Sequence, residues 1–305
     1  MLPTGLLRTF DNINILNKNN NLFMLKKNTF TGLLFFSFFA AYAQNDSIAD
    51  PAKENKQAKM YSFRPVVDIP VITVGCAWSA FAFPKIYSKE PSTEEEILNL
   101  DKSNIPSFDR WAAGKTNEAA DKNSDYLLYG SIPVPFALLL DKDIRHDAGR
   151  VGLMYLEAFA ITGLIYSGSV YFVDRYRPAT YNTSIPPADR TTGNNKDAFI
   201  AGHPATVATA TFFTAKVYSD YHPESNFKYV LYGVAIAATG TTVYMRHIAG
   251  KHFPSDLFAG VAVGTLSGIL VPHFHKNREV KNRNLGFMPF SNGTIHGIAM
   301  TYKFK

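Results

Sequence analysis

Long apolar stretches alternate with polar loops along most of the chain beyond residue 63. Six of these stretches are longer than an ordinary β-strand and rich in alanine and leucine, so the pattern predicts helices. The predicted helices cover residues 66–83, 127–140, 151–173, 205–217, 229–244 and 257–271. Polar loops are predicted at 88–123, 141–150, 181–197 and 219–226. The expected fold is therefore all-α, a helical bundle of about six core helices spanning residues 64–280.

The first 43 residues have the pattern of a targeting segment. From Met24, two lysines precede an apolar stretch at 32–40, and the small-x-small sequence Ala41-Tyr42-Ala43 follows. This order is typical of a secretory signal peptide, and the apolar part is short for a membrane span. We predict a signal peptide within 1–43, with Met24 as the start of translation, and a flexible polar lead-in at 44–63. An uncleaved membrane anchor is the alternative, and either places the domain in the cell envelope, on the periplasmic side.

The last 25 residues change character. Two apolar runs, 285–290 and 294–304, flank Ser291-Asn292-Gly293. Asn-Gly between two such runs is a strong hairpin signal. We therefore predict a short C-terminal β-hairpin within 281–305.

Composition and charge narrow the classes of function. The formal net charge of +6 includes +3 from residues 1–43, which hold four basic residues and one acidic residue. The remaining excess is too small for a nucleic-acid-binding surface. The single cysteine, Cys76, excludes an intramolecular disulfide and a cysteine-based zinc site. No carboxylate cluster is evident in the sequence, so no metal or other cofactor is expected.

Membrane association is the favoured but not the only interpretation. The stretch 151–173 is long enough to cross a bilayer, yet it contains Glu157, and 66–83 contains Asp68. A carboxylate inside a membrane is costly without a partner or a cavity. A soluble bundle therefore stays open beside a partly embedded one. His146, His222, His273 and His275 lack a matching carboxylate in the sequence and are interpreted as surface residues.

The segment between the last two predicted helices holds the strongest candidate chemistry. It places Arg246, His252 and Asp256 around Pro254, which suits the first turn of a helix. His252 would precede a helix N-terminus, where backbone N–H groups favour an anion. Asp256 could accept a hydrogen bond from His252 and fix its tautomer. Arg246 could clamp phosphate oxygens.

A second histidine repeats this placement. Gly202 and His203 precede Pro204 at the start of another predicted helix, and the glycine permits close backbone approach to a ligand. Arg177-Pro178 follows the long stretch 151–173 and would lie at a third helix end. In an antiparallel bundle, such boundaries can gather at one end. The sequence thus predicts a phosphate-binding site with two imidazoles and two guanidinium groups.

These residues resemble, in order and spacing, the three signatures of the type-2 phosphatidic acid phosphatase and vanadium haloperoxidase superfamily. The Arg-x5-His-x3-Asp segment resembles the third, Gly202-His203 the end of the second (Pro-Ser-Gly-His), and Arg177-Pro178 the end of the first (Lys-x6-Arg-Pro). The resemblance covers roughly residues 125–272 and implies an all-helical bundle, often embedded in a membrane.

The resemblance also implies roles for the residues and a class of substrate. It implies that His252 is a nucleophile forming a phosphohistidine, that Asp256 orients it, and that His203 is the general acid. The phosphate-binding groups would be those of Arg177, Arg246 and the Gly202 backbone N–H. The substrate would be a phosphomonoester or a lipid phosphate or pyrophosphate, hydrolysed without a metal.

Two of the three signatures depart from the family pattern. Val170 stands where the family has Lys, and Ile200-Ala201 stands where it has Pro-Ser. Loss of one donor to transition-state charge can cost about 10²–10³ in rate. A catalytically weakened envelope protein that binds anionic lipid or phosphate therefore stays open as an alternative. A vanadate-dependent haloperoxidase is a second alternative, because vanadate mimics the phosphate transition state, but the missing Lys and Ser argue against strong vanadate binding.

Overall fold

The computed structural model of the chain describes residues 59–277, 285–291 and 296–302. Nine α-helices lie in the first of these ranges: α1 (Pro65–Tyr87), α2 (Glu94–Leu98), α3 (Ser107–Arg110), α4 (Glu118–Ser131), α5 (Lys142–His146), α6 (Ala148–Phe172), α7 (Gly202–Tyr221), α8 (Phe227–Ile248) and α9 (Pro254–His275). Short 3-10 helices occupy Lys102–Asn104, Val134–Leu140, Pro178–Tyr181, Pro187–Arg190 and Gly193–Lys196. The predicted helical class is confirmed.

Two strands lie near the C-terminus. β1 (Leu285–Ser291) pairs antiparallel with β2 (His296–Tyr302). The turn that would join them, with Asn292 and Gly293, lies outside the described residues, as do the predicted signal peptide and most of the predicted lead-in. The C-terminal hairpin therefore stays a prediction.

Five of the six predicted long helices correspond to α1, α6, α7, α8 and α9. The predicted helix at 127–140 is wrong in its bounds. The structure begins α4 nine residues earlier, after Asn117, whose side chain accepts the Ala120 N–H at 2.9 Å. It then ends α4 at Ser131 because Pro133 and Pro135 interrupt the helical hydrogen bonds, and a 3-10 helix follows.

Close helix packing builds the body of the bundle. Helix α9 lies against α7 and α6, and α1 lies against α6. At Gly264 of α9, the Ala205 carbonyl of α7 occupies the space of a side chain, and at Gly75 of α1 an added Cβ would lie 2.6 Å from the Ala160 oxygen. Backbones can approach this closely only where side chains are absent. The main core beside these contacts consists of Tyr61, Leu138, Ile144, Val151, Met154, Tyr155, Ala158, Ala210, Phe213, Val217 and Val271.

Three helices of the described chain, α1, α6 and α9, are long and apolar enough to cross a membrane. Helix α1 is the clearest case, because only 17% of its most apolar window is buried inside the protein. Its exposed side chains include Val66, Ile69, Val74 and Phe81. A contiguous apolar surface of this kind indicates membrane association.

Candidate active site

The turn between α8 and α9 explains the Arg-x5-His spacing. Gly250 follows the end of α8 with φ of 68°, and the Lys251 N–H donates to the Arg246 carbonyl at 3.1 Å. This is the hydrogen-bond pattern of a helix ended by a left-handed glycine. The Lys115 carbonyl fills the place where a Cβ of residue 250 would stand, so only glycine fits. The turn brings the chain back to His252 directly before α9 begins.

The ring of His252 is buried, with 3% of the residue exposed. Its Nδ1 lies 2.7 Å from the Ala198 carbonyl oxygen. Because a carbonyl can only accept, Nδ1 carries the proton, and the neutral ring has its lone pair on Nε2. The backbone thus fixes the tautomer that a nucleophilic Nε2 needs.

The expected contact between Asp256 and His252 needs correction. The Asp256 carboxylate is fully buried; it accepts the Phe253 N–H at 2.8 Å and forms an ion pair with Arg175. The place predicted for it beside the imidazole is taken by the Ala198 carbonyl. Asp256 therefore closes the first turn of α9 instead of orienting the ring.

Arg175 connects this turn to the short helix α3. Its Nη2 lies 2.7 Å from Asp109 Oδ2, and its Nη1 donates to Ser255 Oγ at 2.8 Å. Asp109 in turn accepts the Ser255 N–H at 2.9 Å, and the guanidinium lies 4.6 Å from the centre of the Phe253 ring. Sequence reasoning missed this structural role, because Asp109 lies 66 positions before Arg175 in a segment predicted as loop.

His203 is the second residue of α7, and its Nε2 lies 2.8 Å from Asp125 Oδ1. Asp125 belongs to α4 and was missed by the sequence analysis. One signal was available: Asp121 and Asp125 are four residues apart, so on one helix they share a face. Asp121 indeed contacts the other side of the site.

Arg246 is held by the same face of α4. Its Nη1 donates to Asp121 Oδ1 at 2.6 Å and to Ser124 Oγ at 3.2 Å. Its Nε is buried without a hydrogen-bond partner among the described residues, and so is the Nε of Arg177. Two buried guanidinium N–H groups that lack acceptors fit a bound tetrahedral anion.

The two histidines and two arginines of the predicted site affect one another's pKa values, so they lie close together. Burial lowers the pKa of His252 well below its ordinary value, and the charges of Arg246 and Arg177 lower it further. Burial and Arg246 lower the pKa of His203 to about 4, although Asp125 opposes this. Burial and Arg177 lower the pKa of Arg246 to about 10. The structure thus brings both predicted histidines and both predicted arginines to one end of the bundle.

Val170 is a core residue, packed on Ala82 and Ile86. Its backbone carbonyl nevertheless contacts a lysine: Lys89 Nζ donates to it at 2.6 Å. Lys89 follows α1 and also lies 3.2 Å from Asp197, which is 4% exposed. The structure therefore places a lysine from another part of the chain beside the position where the family has one.

Gly202 and Ala201 form the start of α7. An added Cβ at Gly202 would lie 2.6 Å from the Tyr166 ring, so the residue permits close approach of that ring. Ala201 is fully buried, and its N–H donates to the Asp256 carbonyl at 3.1 Å. Ala201 brings no hydroxyl to the start of α7, where the family has serine.

A cavity of about 470 Å³ extends from His203 into the bundle. Gly202 and Tyr166 line it beside His203, and Thr162 and Thr206 are further polar lining residues. The remaining wall is mainly apolar and includes Phe83, Leu128, Ile132, Leu156 and Phe159. His203, the predicted general acid, therefore lines a largely apolar cavity.

Comparison with protein families agrees with this geometry. Residues 151–279 match the family model of the PAP2 superfamily. This part of the chain belongs to the PAP2 superfamily. PAP2 membership supports a phosphatase or phosphoryl-transfer function in general, and it covers His203, Arg246 and His252. Asp121 and Asp125 precede the matched PAP2 segment, and comparison with curated proteins and solved structures gives no match.

Proposed function

We propose that this PAP2 protein is a metal-independent phosphatase that works through a phosphohistidine on His252. The observation that carries the proposal is the hydrogen bond from His252 Nδ1 to the Ala198 carbonyl, which leaves the Nε2 lone pair free at a cluster of cationic groups. Nucleophilic catalysis by an imidazole requires an unprotonated nitrogen at the working pH. The low pKa of His252 meets that requirement.

The proposed first step transfers the phosphoryl group to the enzyme. His252 Nε2 forms a bond to phosphorus while the bond from phosphorus to the leaving oxygen breaks. His203 gives its proton to that oxygen as general acid. Arg177, Arg246 and the Gly202 backbone N–H neutralise the charge on the other phosphate oxygens, the main task of a protein in phosphoryl transfer.

The proposed second step releases phosphate. Water attacks phosphorus, His203 takes a proton from the water, and the bond from phosphorus to Nε2 breaks. Asp125 holds His203 in place through the 2.8 Å contact in both steps. This assigns Asp125 a positioning role that the sequence did not suggest.

We further propose that the leaving group is apolar, as in a lipid phosphate or pyrophosphate. His203 must lie beside the leaving oxygen, and the cavity that begins at His203 is lined by Phe83, Leu128 and Phe159. An apolar cavity next to the general acid favours an acyl or prenyl chain over a water-soluble alcohol. Helices α1, α6 and α9 are long and apolar enough to cross a membrane, which agrees with a substrate taken from a bilayer. Export of the protein to the periplasmic side belongs to the same proposal.

The decisive experiment compares His252→Ala with His222→Ala in purified protein. His222 lies in another part of the bundle, paired with Asp141 at 2.9 Å, and serves as the matched control. His252→Ala is expected to abolish phosphate release from p-nitrophenyl phosphate and from a lipid phosphate, and to abolish the phosphoenzyme trapped by acid quench. Normal turnover in His252→Ala, with His222→Ala also active, would refute the nucleophile.

Vanadate separates the alternatives. It mimics the transition state of phosphoryl transfer, so it should inhibit the wild-type phosphatase. Vanadate-dependent bromide oxidation would instead favour the haloperoxidase, and absence of both activities would favour the anion-binding protein without catalysis.

A further inference from the structure

A second cluster of ionisable side chains lies at the opposite end of the bundle from the phosphate site. Asp68 of α1, Glu157 of α6 and His275 of α9 are 0%, 6% and 2% exposed. His275 stands at the last position of α9, about 30 Å along the helix from its start beside His252. His275 is therefore no surface residue, which corrects the interpretation from sequence, and the proposed phosphatase chemistry uses none of the three.

The distances within this cluster match a coordination sphere. His275 Nε2 lies 3.0 Å from Asp68 Oδ2 and 3.2 Å from Glu157 Oε2. Two ligands of one ion, each about 2.0–2.2 Å from it, are separated by about 3.0–3.4 Å in octahedral to tetrahedral geometry. Both separations from His275 therefore fit two ligands of one ion, and the three ligand atoms all lie within 4.8 Å of one another.

Hydrogen bonding inside the cluster leaves three atoms unsatisfied. Within the described part of the chain, Asp68 Oδ1, Glu157 Oε2 and His275 Nε2 are buried and lack a hydrogen-bond partner of acceptable geometry. His275 Nδ1, in contrast, lies 2.8 Å from the Val271 carbonyl and donates to it. His275 Nε2 therefore faces two carboxylates, and this arrangement calls for a positive charge beside them, either a proton on Nε2 or a bound cation.

The charges of the cluster indicate which positive charge fits. A proton on Nε2 would give two carboxylates and one imidazolium, and the one remaining negative charge would be offset only in part by the Arg64 N–H, which donates to Asp68 Oδ2 at the start of α1. A divalent cation with neutral His275 balances Asp68 and Glu157 completely. The backbone bond to Val271 also resembles the outer-shell contact that fixes most metal-binding histidines.

We propose that Asp68, Glu157 and His275 bind one divalent transition-metal ion that ties α1, α6 and α9 together. One imidazole and two carboxylates suit Zn²⁺ or Mn²⁺, whereas Mg²⁺ prefers oxygen ligands and several waters. The ion stabilises the packing of the three membrane-sized helices. It lies too far from His252 to take part in phosphoryl transfer.

The test uses the full chain purified in detergent. Metal content is measured after growth with Zn²⁺ and Mn²⁺, and the thermal midpoint is measured with Zn²⁺, Mn²⁺ or Mg²⁺ added to chelator-treated protein. One bound ion per chain is expected, with Tm raised by about 5–10 °C by Zn²⁺ or Mn²⁺ and unchanged by Mg²⁺. X-ray absorption should place nitrogen and oxygen ligands at about 2.0–2.2 Å.

Two variants identify the ligands. Glu157→Gln keeps the size of the side chain and should weaken metal binding at least about tenfold. His222→Gln, in the more exposed Asp141–Asp143–His222 group, should bind metal like the wild type. Wild-type protein that holds no metal and shows no Tm shift with Zn²⁺ or Mn²⁺ would overturn the proposal in favour of an imidazolium at His275. Metal that is retained undiminished in Glu157→Gln but lost in His222→Gln would overturn it too, by assigning the ion to the Asp141–Asp143–His222 group.

Discussion

Replacing Asp256 by Asn distinguishes two roles for the residue next to the proposed nucleophile. In the structure the carboxylate accepts the Phe253 N–H at 2.8 Å and pairs with Arg175, while the Ala198 carbonyl holds His252. Asparagine keeps an oxygen for the Phe253 N–H and removes the charge. The variant therefore tests the carboxylate with little change in shape.

The magnitudes expected for the two roles differ widely. If Ala198 fixes the imidazole, Asp256→Asn should lower kcat less than about tenfold. If the carboxylate fixes it, the amide should cost about 10⁴, as in catalytic triads where the orienting Asp is replaced by Asn. The stability cost is moderate, about 1–3 kcal/mol, because Arg175 loses one charged partner but keeps Asp109 at 2.7 Å and Ser255 at 2.8 Å.

The assay measures kcat at saturating substrate, with thermal unfolding of the same preparation. We expect Tm to fall by roughly 2–12 °C and activity below the transition to remain. Asp109→Asn is the matched control, because it removes the other charged partner of Arg175. A loss of 10³ or more in folded Asp256→Asn, with Asp109→Asn still active, would refute the structural assignment and return the orienting role to Asp256.

Two further predictions concern the charges around the phosphate site. His203 must be protonated to act as an acid, and its pKa is about 4, so kcat/KM should fall as pH rises above 4. Because Asp125 raises the pKa of His203, Asp125→Asn should move this fall to lower pH in a pH–rate profile. Lys89→Met should lower kcat/KM by about 10–100-fold and weaken inhibition by inorganic phosphate. The reason is that Asp197, having lost Lys89, would compete with phosphate for the charge of Arg177. Unchanged phosphate inhibition would show that Lys89 acts on folding alone.

Local sequence was sufficient to predict the part of the site that lies on helix ends. The positions of Gly250 and Pro254 define where α8 ends and α9 begins, so the placement of His252 followed from the chain itself. The same holds for His203 at the start of α7. Each of these residues is determined by neighbours within a few positions.

Residues delivered from distant segments could not be predicted in this way. Asp125 contacts His203 from 78 positions away in the chain, and the predicted helix at 127–140 began too late to include it. Lys89 reaches the Val170 carbonyl across 81 positions, and the two share no motif. The role expected of Asp256 failed for a related reason: a backbone carbonyl, which no side-chain pattern reveals, had taken the hydrogen bond of His252.

The low pKa of His203 has a consequence for how the proposed acid receives its proton. Arg246 and Arg177 disfavour imidazolium in the free protein, and both guanidinium groups would be neutralised by a bound phosphate. Binding of the anion and protonation of His203 therefore favour each other, since coupling between two binding events is reciprocal. The enzyme–substrate complex should then keep its proton to higher pH than the free enzyme, which places the alkaline fall of kcat above that of kcat/KM. A site built this way holds its general acid in the protonated form mainly when the substrate is present, while the burial of His252 keeps the nucleophile unprotonated.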